Sequence, residues 1–580
     1  NTFDVKSGEW DHNYWLRGAC RYGVMPANGL LYNTPSVCTC FITAKIKGLN
    51  ALADDSPTRR IPKTIPAEER LVKGPASTRN FQSSILNLQS SWPTYRGGVE
   101  RHGVAGSPLA DAYASGWKSK VGGKLTQPVI ANGRVFVAAY DQHAVYALGA
   151  GDGKKLWRFQ AGSIVDSPPT IWKGTAIFGC RDGWVYCLNA ADGALVWKFR
   201  AAPVDRRIVA CENLESVWPV HGSVLVVPDS ESGKGKVHAI AGRSNFLDGG
   251  LRSLVLDADS GALLSESLID EVDPLTGCNV QQGHEWPPDL PAGLPDVLSF
   301  SDNTVYMGVQ PLSLDGKRRE AYYPSRGTYQ FTGKSEDPVK KRHTPQGLHL
   351  FSTIGFLDDS EMHRSVWMYG KDSFGGCWGF PVPTFVTPSG QMLCVKGDNV
   401  YGYGRQFYNE GNQPFMHLFA TTRYPEAISY KEWFKDKKKK DRRGGPDITR
   451  GLATVPKWRW SETTDTYVRA MMVAANRKAG EPDLLFAVGF PEVIDEHDAI
   501  DLIRSQQKAF KLDTIYKKEK AAAGELGAKL LIISTADGSV LSEIALDAPA
   551  VFDGVSAANG KLFLSDTDGN VICLTPAKDQ

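Results

Sequence analysis

Histidines, a tyrosine and arginines recur in this sequence on the polar stretches between apolar runs, and that set of side chains suits one kind of chemistry. β-Elimination from a uronate needs a base for the proton at C5 and a cation to neutralise the adjoining carboxylate. His221, His143 and Tyr140 are candidate bases, and Arg207 and Arg243 candidate neutralisers. Arg206, Arg181, Glu215, Trp218, Asp248, Asp166 and His284 stand near them in the sequence as candidate ligand-binding residues. Guanidinium groups clasp carboxylates and sulfates through paired hydrogen bonds, so an anionic polysaccharide is one expected partner. The same acids can pair with the arginines as structural ion pairs. A scaffold that binds a ligand or a protein partner is therefore the leading expectation, and a uronate polysaccharide lyase the alternative.

The bulk charge adds nothing to this. Lysine and arginine number 66 against 64 acids, which implies no general attraction to nucleic acid or membrane. No apolar stretch approaches the roughly 18 residues of a membrane span. Ten cysteines in 580 residues are too few for a disulfide scaffold. Cys20, Cys38 and Cys40 have a spacing foreign to standard zinc and iron–sulfur sites. One disulfide with a spare thiol, or three buried thiols, is expected there rather than a metal. The chain opens at Asn1 with no charged-then-apolar leader, as expected of a processed product.

What must position the candidate residues is a turn-rich scaffold. The chain has 58 glycines and 34 prolines, with 15 tryptophans, 20 tyrosines and 24 phenylalanines between them. So many aromatics exclude a disordered chain, and so much glycine argues against a long helical bundle. Residues 128–160 repeat at 168–200: Pro128 matches Pro168, Tyr146 matches Tyr186, Gly153 matches Gly193, and Trp157 matches Trp197. Trp117 lies another forty residues upstream. Within the first unit, strand-forming runs at 128–131, 134–139, 144–148 and 155–160 are separated by Asn132-Gly133, Asp141-Gln142 and Asp152-Gly153. Such alternation predicts antiparallel hairpins, and a repeated four-stranded unit is a propeller blade.

Further strand pairs are expected at 222–227 with 236–242, 295–300 with 304–309, 390–395 with 399–404, and 468–474 with 483–489. The last unit ends at 570–574 without a fourth strand, whereas Trp117 sits on a strand with no first three before it. Residues 115–121 are therefore expected to complete the final blade, which removes exposed sheet edges. The fold class is all-β: a seven-bladed β-propeller, with eight blades as the alternative, closed by an N-terminal strand.

The turns AGDGKKLW at 150–157 and AADGALVW at 190–197 resemble the tryptophan-docking motif of quinoprotein-like (PQQ-binding-like) β-propeller repeat proteins. VDSPPT at 165–170, DGWVYCL at 182–188, ESVWPVHGSVLV at 215–226, AGRSNFLDGG at 241–250 and HLFSTIGFLDDSEMHRS at 349–365 are similar to a large bacterial subfamily of such propellers. The resemblance covers about residues 90–580 and also 20–32. It implies tryptophans packed between neighbouring blades and a periplasmic or secreted location. Quinoprotein dehydrogenases of this fold hold PQQ under a disulfide of adjacent cysteines and beside calcium. This sequence has no Cys-Cys dipeptide and no C-x-x-C-H for covalent haem, so bound PQQ or a metal ion is not the expected state. A quinoprotein-type oxidoreductase ranks third.

In a blade, the loop between the second and third strands emerges on the same face as the connection to the next blade. That rule gathers Tyr140, His143, Arg181, Arg243 and Asp248 with Asp166, Arg206, Arg207, Glu215, Trp218 and His284, so the site is expected on this face. The insertion 490–527 carries the one strong helix signal. The expected divisions are an aromatic, cysteine-bearing segment 1–60, a linker 61–90 and a propeller 91–580. The polar cluster within 356–365 is expected on the opposite face as a self-satisfied turn, and the basic run 435–443 as a solvated loop.

Overall fold

The computed structural model describes residues 2–11, 13–19, 23–35, 41–54, 56, 60–62, 65–79, 90–210, 212–229, 232–272, 277, 279–280, 293–319, 349–360, 366–370, 374–377, 380–383, 387–406, 416–429, 454–494 and 512–577. Antiparallel strands dominate them. The two repeats of the sequence become two sheets of four consecutive strands. Sheet 1 is Val129–Ala131, Arg134–Ala139, Ala144–Gly149 and Lys155–Gln160, and sheet 2 is Thr170–Trp172, Thr175–Gly179, Trp184–Asn189 and Leu195–Arg200. Tight turns make this possible: Asn132 and Gly133 both adopt positive φ, 50° and 72°.

Among the described residues six further sheets of three or four strands follow along the chain, opening with Leu225–Pro228, Leu298–Ser301, His349–Ser352, Met392–Lys396, Thr466–Ala474 and Ala550–Ala558. The four strand pairs expected from the sequence open sheets 3, 4, 6 and 7. Sheet 5 has no counterpart among those pairs. Its strands, His349–Ser352 and Trp367–Gly370, are four residues each and lack the Asn-Gly or Asp-Gly punctuation that marks a hairpin. In sheet 8, Tyr113–Lys120 runs antiparallel to Asn570–Pro576 with Trp117 opposite Cys573. A strand from the first quarter of the chain is thus the fourth strand of its last sheet. First strands of neighbouring sheets touch from sheet 1 to 5 and from 6 to 8, and that of sheet 8 touches that of sheet 1; sheets 5 and 6 meet through Trp367–Gly370 and Met392–Lys396.

Between sheets the tryptophans dock as the repeat implies. The indoles of Trp117, Trp157 and Trp197 donate to the carbonyls of Ala150, Ala190 and Ala258, at 3.1–3.2 Å. Each ring lies against a glycine of the next sheet, Gly153, Gly193 or Gly261, whose φ of 70–75° and missing Cβ leave room for it. Trp460 repeats the arrangement with Thr535 and Gly538, in a unit too stretched for the sequence period to reveal it.

The stretch 91–109 ties several sheets together. It exchanges backbone hydrogen bonds with Ile130, Ile171, Phe300, Val395, Val473 and residues just beyond, so it reaches sheets 1, 2, 4, 6 and 7. Two fully buried arginines fasten it. Arg96 pairs with Asp553 at 2.7 Å and lies over the Trp367 ring, while Arg101 donates to the Leu298 carbonyl and the Thr94 hydroxyl. Within the expected linker, Leu71–Lys73 adds a fifth strand to sheet 2, and buried Arg70 beside it reaches Glu266 at 2.6 Å. Upstream, Val24–Ala27, Leu30–Asn33 and Asn50–Ala53 form a small sheet, and the Trp15 ring stacks on Phe246, on the loop between the second and third strands of sheet 3, at 5.7 Å. The described helix, Leu512–Ala522, lies inside the expected helical insertion; Ile500, Ile503 and Ala509 of that pattern fall outside the described residues.

Candidate functional site

Asp166 lies on the connection from sheet 1 to sheet 2, Arg181 on the loop after the second strand of sheet 2, and His221 just ahead of sheet 3. The fold brings all three together. His221 Nδ1 lies 2.9 Å from Asp166 Oδ2, Arg181 Nε donates to the same oxygen at 3.1 Å, and the Gly222 N–H donates to Oδ1 at 3.0 Å. Burial alone would raise the Asp166 pKa. The His221 hydrogen bond, that imidazole's charge, Arg181 and the Gly222 N–H outweigh it and hold the carboxyl well below the ordinary 3.8. Asp166 is therefore a fixed carboxylate. His221 keeps 23% of its side chain exposed beside it.

Glu215 joins from a hairpin within the connection to sheet 3, Arg207–Ala210 paired with Asn213–Ser216. Its carboxylate stands 3.6 Å from Arg181, and burial raises its pKa despite His221, Arg181 and Arg243 nearby. Tyr140, on the first-sheet loop, lies beneath the Arg181 guanidinium at 5.3 Å. His143 follows in a left-handed conformation (φ 50°) and meets Asn213 through Nε2 at 3.3 Å. Trp218 is fully buried and donates to the Asp248 carbonyl, and Arg206 lies over its ring at 5.7 Å. Arg243 pairs with Asp248 at 2.5 Å.

Asp166, His221, Arg181 and Glu215 thus form one cluster with Tyr140; His143 with Asn213, and Arg243 and Arg206 with Asp248 and Trp218, make separate contacts. Arg207 is set apart. It is half exposed, and its ion partner is its neighbour Asp205 at 3.4 Å. His284, Cys20, Cys38 and Cys40 lie outside the described residues. Reading the sequence missed that Asp166 holds His221. Each stands four residues ahead of the first strand of its sheet, and that equivalence was the available signal. In the 356–365 cluster, Asp358 pairs with Lys47 at 2.5 Å and Asp359 with Arg469 at 3.0 Å; His363 and Arg364 lie outside the described residues. Among the described residues no three of His, Cys, Asp and Glu are grouped to hold a metal ion. No helix among them is long and apolar enough to cross a membrane.

The PQQ-like repeat family model, described as outer membrane protein assembly factor BamB, matches residues 110–247. That span covers the docked tryptophans Trp117, Trp157 and Trp197 and most of the network just described. Residues 110–247 are PQQ-like β-propeller repeats. Structures similar to this chain include BamB from Moraxella catarrhalis (12% identity, TM-score 0.40, covering 80% of this chain and 100% of that one). Another is quinohemoprotein alcohol dehydrogenase from Comamonas testosteroni (14%, TM-score 0.44, covering 88% and 84%). A third is quinohemoprotein alcohol dehydrogenase ADHIIG from Pseudomonas putida HK5 (13%, TM-score 0.44, covering 85% and 81%). No curated protein sequence matches the chain.

Proposed function

We propose that this chain is an eight-bladed PQQ-like propeller, periplasmic or secreted, that binds a ligand through the face where the inter-sheet connections emerge. Eight sheets in sequence and the contact of the last with the first support eight blades over seven. The binding reading rests on the Asp166–His221 pair. A fixed carboxylate accepting the Nδ1–H sets the imidazole tautomer, leaving Nε2 as an acceptor for a ligand hydroxyl. An acidic saccharide is the class we favour, with its carboxylate against Arg243 or Arg206. Asp166, Asp205, Glu215 and Asp248 balance Arg181, Arg206, Arg207 and Arg243, so recognition is short-range rather than driven by long-range steering. A protein partner is the other occupant of this face, in keeping with the assembly factor named by the family description. Calorimetric titration with oligouronates and neutral oligosaccharides tests the reading. Tighter binding of the acidic series is expected, with about ten-fold losses in His221→Ala and Arg243→Ala. Unchanged binding in both variants would sink it.

The same pair favours lyase action as the second reading. An imidazole tied at Nδ1 offers the Nε2 lone pair to the C5 proton, with Arg243 or Arg207 neutralising the uronate and Tyr140 and His143 close by. Incubation with uronate polysaccharides should then give an unsaturated product absorbing in the ultraviolet, and His221→Ala should abolish it. A PQQ cofactor does not fit these residues. Its family cover is a pair of adjacent cysteines, whereas the described free cysteines, Cys180, Cys187, Cys394 and Cys573, are each buried and none adjoins another in sequence.

A further inference from the structure

The network above sits where first strands begin and second strands end. A cavity of about 840 Å³ opens at the other end of the same strands. Its lining includes Lys173, on the turn after the first strand of sheet 2, and Lys396 and Pro228 at the ends of the first strands of sheets 6 and 3. Residues of the stretch 91–109, among them Val99 and Val104, form another wall. The size is that of a small-molecule site, and the exposed lining is mainly apolar.

One cation in this wall stands out. Arg96 is neutralised by Asp553 and Lys396 by Asp483, while Lys173 donates to the Gly233 carbonyl. Among the described residues, Arg423 has neither a carboxylate nor a hydrogen-bond acceptor for its guanidinium, which lies over the Tyr369 ring at 5.3 Å. Its Nε is buried without a partner. His102, packed edge-on to the same ring, adds no charge, because burial and the nearby arginines drive its pKa down to about 3. Glu100, the carboxylate in the lining, is exposed at the rim. An apolar chamber with an uncompensated guanidinium in its wall matches a ligand with an apolar body and one acid group.

We propose that this cavity, at the opposite end of the propeller from the His221 network, binds a small amphipathic organic anion, its acid group held by Arg423 and its apolar body against Val99, Val104 and Trp172. The proposal is independent of the function assigned to the other face. It is tested with three fluorescent probes on the intact chain: pyrenebutyrate, pyrenebutanol and pyrenebutylamine. One equivalent of pyrenebutyrate should bind, at least ten-fold more tightly than the alcohol, with the amine weakest. Arg423→Gln should erase the preference of acid over alcohol while the alcohol still binds. Lys173→Glu, at the rim, should weaken the acid alone and supplies the same test should the first variant fold poorly. Failure of pyrenebutyrate to bind, equal binding of acid and alcohol, or a preference that survives both substitutions overturns the assignment.

Discussion

Asp296 gives a stability prediction whose sign and size both follow from its surroundings. It precedes the first strand of sheet 4 and is partly buried, with Oδ2 shut off from solvent. Oδ1 accepts the N–H groups of Val297 (2.7 Å) and Phe356 (2.9 Å), and Oδ2 has no partner. Burial pushes its pKa from 3.8 up to about 6, against the pull of those two N–H groups and of Lys47, and with a small push from Asp358. The folded state therefore holds a proton between pH 3.8 and about 6 that the unfolded chain has released. Stability associated with Asp296 is full below that window and is lost as pH rises through it. At about 1.36 kcal/mol per pH unit the loss is about 3 kcal/mol. Asp296→Asn keeps an oxygen for both N–H groups but cannot titrate. The stability of the wild type relative to this variant should then fall by about 2.4 kcal/mol between pH 4 and pH 7.5. Unfolding entropy of about 2.1 cal/mol/K per residue gives roughly 1.2 kcal/mol/K for 580 residues, so the relative Tm moves by about 2–3 °C in calorimetry. A difference that stays constant with pH, or moves the other way, refutes the reasoning.

Asp553→Asn should destabilise by about 3–5 kcal/mol, because it strands the Arg96 charge in a site with no exposure; the double change Arg96→Met with Asp553→Leu should recover most of that in denaturant unfolding. Gly153→Ala should lower Tm more than Gly133→Ala. Both glycines have φ near 70°, but only at Gly153 does the new Cβ strike an indole, that of Trp117. Lowering pH below the ordinary carboxylate range should loosen the His221 network. Asp166 binds protons less readily folded than unfolded, so its stabilisation exists above that range and is lost beneath it; Asp166→Asn should flatten this acid limb in a pH series of melting curves.

These predictions divide by how far each feature can be read along the chain. The period of forty, the Asn-Gly and Asp-Gly turns and the recurring tryptophan are local patterns, and they determined the all-β repeat, its strand pairs and the docking of Trp117, Trp157 and Trp197. Loop alternation within one repeat also predicts one face for Tyr140, Asp166, Arg181, Glu215 and Arg243, because each turn reverses the chain by a fixed geometry. Which acid meets which base was decided only by the tertiary structure. Hydrogen bonds between Asp166 and His221 span 55 residues, and no periodicity encodes a distance set by how adjacent sheets pack. The same holds for residues 91–109, whose contacts with five sheets no local pattern announces. Their buried position follows from sheets hundreds of residues away, which supply Asp553 to Arg96 and the Leu298 carbonyl to Arg101 and so make two interior guanidiniums tolerable.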